Sequence, residues 1–283
     1  MATFYNQATL SYNGNVTSSN ITTGELLEVL SASKTAVDDE YWLNDENTYV
    51  ISILNSGTMP YTDITVTDDL GRYAYGTGYL VPLTYAEDSV LYYVNGVLQA
   101  APSVVSVSPL TFTGINVPAG GNTTIVYAAR ANSYAPLGQG GQITNTVTVT
   151  SGAGSAAAEA TVTARNEAEL TISKSLSPTV ISENGRITYT FVIQNYGNTA
   201  VNATDDAVIT DTFDPILSAL DVSFNGTAWT AGVNYSYNAA TGLFATAPNQ
   251  ITVPAAEYVQ DATGAWAINP GVSILTVTGT VTG

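Results

Sequence analysis

The chain has 283 residues, 45% of them hydrophobic and 10% charged, which is enough for two domains with cores of their own. It contains neither cysteine nor histidine, so disulfide frameworks, thiolate or imidazole metal sites and every Cys- or His-based catalytic arrangement are excluded. A formal charge of −17 without a basic cluster excludes nucleic acid as a partner. No apolar run reaches membrane-spanning length, and residues 1–6 show neither the basic nor the apolar part of a signal peptide.

In chain order the pattern is one of short alternating strands. Residues 6–12 (NQATLSY), a turn at Gly14 and residues 16–23 predict a hairpin. Residues 30–36 follow with Lys34, and then the alternating run 48–54, the turn Asn55-Ser56-Gly57 and the run 63–68. A tyrosine-rich stretch spans Tyr73 to Tyr93, and Asn95-Gly96 marks another turn. Runs 143–149 and 158–164 end the first set, and residues 170–176 with Lys174 begin a second. Many short strands with such punctuation predict an all-β chain of sandwich domains.

The second set repeats the first. Ser33-Lys34-Thr35 matches Ser173-Lys174-Ser175, YVISILNSG (49–57) matches YTFVIQNYG (189–197), and Thr65 to Asp68 matches Val208 to Asp211. Val117-Pro118-Ala119-Gly120 is matched with Ile268-Asn269-Pro270-Gly271. The first module continues through 143–149 and 158–164, whereas the second stops at Gly283 before any counterpart. Those strands have their likeness at the other end, where residues 6–23 resemble 145–164. Asn6 stands 28 residues before Lys34, and Asn145 stands 29 before Lys174. The expected organisation is therefore a donor hairpin at 1–25, a complete sandwich at 26–165 and an incomplete acceptor sandwich at 166–283. An incomplete sandwich exposes apolar surface and unpaired edges, which strand addition from another copy satisfies. Donor and acceptor at opposite ends make that contact open-ended, giving a head-to-tail homopolymer. Folding back of the hairpin onto its own chain is the alternative, and the conserved hairpin-to-module spacing argues against it.

The strand lysine, the Asn-x-Gly after a Tyr-initiated strand, Val-Thr-Asp, Pro-x-Gly and the final Ile-Thr-Asn-Thr together resemble the "conserved repeat" of Gram-positive surface proteins, domain-of-unknown-function family 11. The resemblance covers nearly the whole chain. It implies two tandem immunoglobulin-like β-sandwiches, an extracellular scaffold on a cell or spore surface and no catalytic activity toward an external substrate.

Lys34 and Lys174 are the only lysines and hold equivalent repeat positions. Alternation puts Lys34 with Leu30, Ala32 and Ala36, and Lys174 with Leu170, Ile172 and Leu176. Asp68 falls in line with Val66 and Leu70, Asp211 with Ile209 and Phe213, Asn145 with Ile143 and Val147, and Asn6 with Phe4 and Ala8. Three polar groups per module thus face apolar surroundings. Burial favours the neutral amine and the neutral acid, and a neutral lysine is a nucleophile. One reading is a buried Lys–Asp ion pair with a bonded Asn. The other comes from the resemblance: sandwich domains of Gram-positive pili and adhesins use this constellation to form Lys–Asn isopeptide bonds, promoted by the acid. On that reading Asp68 and Asp211 are the acids, Lys34 bonds Asn145 within the chain, and Lys174 bonds Asn6 of the next subunit.

Asp38 and Asp39, and Asp205 and Asp206, are weak calcium candidates without the spacing of a calcium loop, and solvated acidic turns are the preferred explanation. No cofactor is expected. The tyrosines of 73–93 suit glycan binding or ordinary half-buried strand positions. The expected function is a self-assembling fibre subunit. A monomeric adhesin or carbohydrate-binding module built from the same sandwiches is the alternative.

Overall fold

The computed structural model describes residues 2–26, 29–152 and 154–281, and they are all β apart from one 3-10 turn at Ala203–Asp205. Gly283 and the centre of the 152–154 turn lie outside the described residues. The principal strands are numbered here in chain order. Four form the N-terminal arm: β1 (Ala2–Asn6), β2 (Thr9–Tyr12), β3 (Asn15–Ser18) and β4 (Thr22–Leu26). β1 pairs β4 and β2 pairs β3, so the arm is one long antiparallel ribbon turning at Asn13 and Gly14, both at positive φ. Two residues separate the paired Asn6 and Thr9, but three separate their partners Thr22 and Ser18. The extra residue is a bulge in the returning strand.

The chain divides into two units, residues 1–135 with 142–162 and residues 136–141 with 163–283. The sequence places this boundary at 165/166, without the segment 136–141 that belongs to the second unit. The arm clusters with the first unit rather than standing as a separate domain.

The first unit is a two-sheet sandwich. One sheet carries β5 (Leu30–Ala36), β6 (Glu46–Asn55) and β9 (Asn122–Ala131), extended by Leu91–Val94 and Val97–Leu98. The other carries β7 (Tyr61–Asp68), β8 (Leu110–Val117), β10 (Gln142–Ser151) and β11 (Gly154–Ala164) in the order β8-β7-β10-β11, with Ser103–Val107 beyond β8 and Glu40–Tyr41 beyond β11. Period-two patterning sends alternate residues inward. Tyr49, Ile51 and Ile53 of β6, Ile125 and Tyr127 of β9, and Ile143, Val147 and Val149 of β10 are all at most 1% exposed.

The second unit repeats this plan in part. Its larger sheet runs β12 (Leu170–Ser177), β13 (Arg186–Asn195), β17 (Gly271–Val281), β15 (Leu217–Phe224), Thr227–Trp229. Its smaller sheet has β14 (Thr210–Thr212), β16 (Leu243–Thr246) and Tyr235–Asn238. β14 occupies the place of β7 and pairs β16 through Asp211 opposite Phe244, as Asp68 sits opposite Leu110. In the first unit the other side of β7 is taken by β10, with Val147 opposite Asp68. Among the described residues no strand takes that side of β14, and none stands in the places of β10 and β11.

One matched pair from the sequence is corrected. Asn55 is fully buried; its Nδ2 donates to Met59 O (2.8 Å) and Pro118 O (3.0 Å), and its Oδ1 accepts from Gly57 N (2.9 Å). Asn195 does the same with Thr199 O (2.8 Å), Pro254 O (3.0 Å) and Gly197 N (2.9 Å). Val117-Pro118 therefore corresponds to Val253-Pro254, not to Ile268-Asn269. The segment between Pro254 and Gly271 is an insertion holding the hairpin Glu257–Gln260/Trp266–Asn269. A Cβ at Gly271 would lie 1.9 Å from Pro254 O, so the chain leaves the insertion through a glycine. The repeated Asn-x-Gly is thus a buried clamp on two crossing segments as well as a turn.

Replacing Asn55 or Asn195 by Ala strands a buried N–H and at least two carbonyls. Each substitution is expected to lower the stability of its unit by about 1–3 kcal/mol in urea unfolding at unchanged m value. A loss below about 0.5 kcal/mol, the range of ordinary surface changes, would contradict the clamp.

Candidate functional site

In the first unit the site lies between the sheets. β5 alternates inward at Lys34, β7 ends on Asp68, β9 contributes Tyr127 and β10 contributes Asn145. The side chains of Lys34 and Asp68 are both 0% exposed, and Lys34 Nζ lies 2.7 Å from Asp68 Oδ2. Tyr127 donates its hydroxyl to the same Oδ2 at 2.7 Å, and Asn145 Nδ2 donates to Tyr127 Oη at 3.0 Å. Leu70 N donates to Asp68 Oδ1 at 3.0 Å. Asn145 Oδ1 is buried without a hydrogen-bond partner. Tyr49 and Tyr127 stack at 5.5 Å, and Lys34 Nζ sits 5.2 Å from the Tyr49 ring centre.

Burial governs the electrostatics. Desolvation pushes the Lys34 ammonium below its ordinary range, against the attraction of Asp68. It pushes the Asp68 carboxyl up, against Lys34 and the bonds from Tyr127 and Leu70. The Tyr127 phenol is driven well above its usual value by burial and then by Asp68. Both directions of the Lys–Asp pair favour proton transfer from the amine to the acid, which leaves a neutral nucleophile beside a neutral carboxylic acid. Lys34, Asp68 and Asn145, singled out from the sequence, are therefore brought together. Tyr127 was missed; its signal was an inward-facing tyrosine on one strand face with Ile125, Ala129 and Ala131, where a buried hydroxyl needs a partner.

The second unit has half of this site. Lys174 in β12 pairs with Asp211 of β14, but the two side chains are 38% and 18% exposed. The ammonium is ringed by aromatic faces, 4.4 Å from the Tyr189 centre, 5.3 Å from Phe213 and 5.5 Å from Phe191. Full burial of Lys174, expected from alternation, is corrected: it faces the second sheet, but no strand there covers it. Every residue of β12 is exposed, including Leu170 (43%), Ile172 (56%) and Leu176 (41%). A groove of about 550 Å³ opens beside Lys174, Leu176, Tyr189 and Thr212. The Tyr127 position is taken by Val277, since Val277 pairs Tyr189 as Tyr127 pairs Tyr49.

Asn6, the residue assigned to complete this half-site, lies on the exposed arm at the end of β1. Its neighbours on that strand face are exposed too: Phe4 by 58% and Leu10 by 65%, whereas the matching Ile143 and Val149 are 1% and 0% exposed. The arm thus carries a core face that is not in a core.

The calcium candidates are not brought together, since no group of three or more acidic residues placed to hold a metal occurs among the described residues. Asp205 instead accepts from Asn202 N (2.8 Å) at the 3-10 turn, and Asp206 is the left-handed residue ending it. Asn47 Oδ1 accepts from the Asp38 backbone. Of the tyrosines between 73 and 93, Tyr85 and Tyr92 are buried and Tyr73 donates to Tyr134 O. Tyr79 is exposed beneath Arg72. No helix among the described residues is long and apolar enough to cross a membrane.

No protein-family model and no curated protein matches the chain. Among solved structures it is similar to the pilus backbone protein of Streptococcus pneumoniae, at 11% identity over 85% of this chain and 55% of that one, TM-score 0.35. It is also similar to the major pilin subunit of Bacillus cereus, at 10% identity over 95% of this chain and 73% of that one, TM-score 0.36. A third likeness is to the collagen-binding domain of a Staphylococcus aureus adhesin, at 12% identity over 49% of this chain and 99% of that one, TM-score 0.32. The chain spans about half the length of the pneumococcal protein. At such scores the functional reading rests on the chain's own geometry.

Removing one partner of a buried pair leaves the other charged and desolvated. With Asn145→Ala as the background, in which no cross-link can form, Lys34→Ala is expected to cost the first unit about 3–5 kcal/mol in urea unfolding, and Lys34→Met with Asp68→Leu to recover most of it. Lys174→Ala, at a solvent-screened pair, is expected to cost less than about 1 kcal/mol in unassembled protein. Equal losses at the two lysines would contradict the difference in environment.

Proposed function

We propose that this chain is a structural subunit of a surface fibre, joined head to tail by insertion of its N-terminal arm into the second unit of the next copy. The observation that carries the reading is the fit between two incomplete halves: an open side of β14, and an exposed ribbon that repeats the strands missing there. Carrying the β7–β10 register across the repeat sets Ala8 opposite Asp211, Thr9 opposite Thr210 and Leu10 opposite Ile209. Asn6 then takes the place of Asn145, over Lys174. The arm's second strand takes the place of β11. The resemblance to the surface repeat supports an extracellular location on a cell or spore.

Lys174 and Asn6 in this arrangement are the partners of an amide cross-link. The neutral Lys174 Nζ attacks Cγ of Asn6, the Nζ–Cγ bond forms and the Cγ–Nδ2 bond breaks. Nδ2 leaves as ammonia with a proton that began on Nζ, and Asp211 holds that proton in between. The equivalent bond in the first unit joins Lys34 to Asn145. The chain is then its own substrate and no external one is needed. A monomeric adhesin would leave the arm and the β14 edge unused.

Full-length protein is expected to form filaments in negative stain and, after boiling in detergent, to show a ladder of bands. Lys174→Ala should abolish the ladder while filaments persist, because strand pairing does not require the amide. Moving residues 2–26 to the end of the chain through a flexible linker should give monomers, since an internal donor outcompetes any neighbour. Full-length protein that stays monomeric, or filaments unaffected by the transposition, would overturn the reading.

A further inference from the structure

We infer that Tyr127 is a proton-transfer residue for the bond between Lys34 and Asn145, and that the second unit, with Val277 in its place, forms its bond without one. This rests on the covalent reading above. Three hydrogen bonds run without a break from the nucleophilic nitrogen to the leaving nitrogen: Lys34 Nζ to Asp68 Oδ2 at 2.7 Å, Tyr127 Oη to Asp68 Oδ2 at 2.7 Å, and Asn145 Nδ2 to Tyr127 Oη at 3.0 Å. Asp68 itself makes no hydrogen bond to Asn145, whose Nδ2 is bonded to the phenol and whose Oδ1 has no partner. Asp68, Tyr127 and Asn145 are each 0% exposed, as is the side chain of Lys34, so bulk water has no access to carry the proton.

The step balances along this chain. Lys34 begins as an ammonium against the Asp68 carboxylate and gives one proton to Oδ2. The neutral amine attacks Cγ of Asn145. As the Cγ–Nδ2 bond breaks, the phenol gives its proton to Nδ2 and takes the one on Asp68, and ammonia departs. Nζ, now bonded to Cγ, releases its surplus proton to Asp68. The products are an amide, ammonia, an intact phenol and a neutral acid, and burial favours Asp68 in that neutral form. The raised phenol disfavours a free phenolate, so the two transfers at Tyr127 occur together.

The sequence carries the contrast between units. The two aromatic positions opposite one another in the first unit, Tyr49 and Tyr127, become Tyr189 and Val277 in the second.

The test is the rate at which the linked Lys34–Asn145 peptide, lighter by one ammonia, accumulates in full-length protein sampled after cell-free synthesis and digestion. Positioned proton transfer contributes about 100-fold or more, so Tyr127→Phe should slow that bond by about this factor. The Lys174–Asn6 bond should form at its ordinary rate in the same sample, as an internal control. Circular dichroism establishes that the variant folds. Where it does not, 3-fluorotyrosine at position 127 replaces it: a more acidic phenol of nearly the same shape should accelerate the bond, and a purely structural tyrosine should leave it unchanged. A wild-type rate in Tyr127→Phe, or no acceleration with fluorotyrosine, overturns the relay and leaves the covalent reading standing. Wild-type protein with no linked peptide overturns both.

Discussion

Strand β14 is hydrogen-bonded to β16 on one side, and among the described residues no strand pairs its other side, where Thr212 N is held by Asp211 Oδ1 at 2.9 Å, although in the first unit the same position is flanked by strands on both sides. Backbone N–H and C=O groups must be paired or solvated, and an open edge beside an apolar face invites pairing with another chain. The rest of the second unit follows from this. β12 buries neither face, Lys174 keeps contact with solvent, and a groove opens beside it. The arm shows the opposite deficiency, a ribbon with apolar side chains and no sheet to cover. Phe4, Leu10, Leu170, Ile172 and Leu176 are 41–65% exposed, so covering them contributes about half of 1.5–3 kcal/mol each, roughly 4–8 kcal/mol together. Association costs about 4–15 kcal/mol, so apolar contact alone does no more than balance it. On the proposed reading, main-chain pairing along β14 has to supply the rest of the affinity.

The two lysine sites show how one set of residues behaves in two environments. In the first unit Lys34 and Asp68 are sealed, and desolvation drives both toward neutrality, the state in which an amine can attack a carboxamide. In the second unit the pair is open and aromatic faces hold the ammonium, with no strand closing over it. Covering that pair with a strand that carries an asparagine would reproduce the conditions of the first site. On the proposed reading chemistry there is tied to assembly, because Lys174 is 38% exposed until a seated arm covers it.

Much of this was legible in the sequence because period-two alternation states which residues face inward. The paired repeat of Lys, Asn-x-Gly and Asp picked out Lys34 with Asp68 and Lys174 with Asp211, which the structure pairs. The misplaced match of Val117-Pro118 with Ile268-Asn269 arose because Pro254 is followed by Ala255-Ala256, whereas the inserted hairpin ends on Pro270-Gly271, where the repeat was sought. Only the carbonyls that Asn55 and Asn195 grip show that Pro254 is the counterpart. Tyr127 escaped for a different reason. A tyrosine inside a strand looks like packing until its hydroxyl is found between an acid and an amide, and one strand carries no record of what the facing sheet presents. The exposure of Lys174 was likewise invisible to alternation, which reports direction but not whether anything lies in that direction.

Thr9 and Thr210 are both exposed, face each other in the register carried over from β7 and β10, and belong to a chain without cysteine. The most direct measurement is to mix Thr9→Cys protein with Thr210→Cys protein under mild oxidation and separate the products without reductant. Arm insertion between copies requires a heterodimer disulfide joining residues 9 and 210, formed at the rate of assembly and absent when each variant is oxidised alone. A Thr9→Cys/Thr210→Cys double variant that closes only within single chains, or a mixture that forms no 9–210 bond, would contradict it.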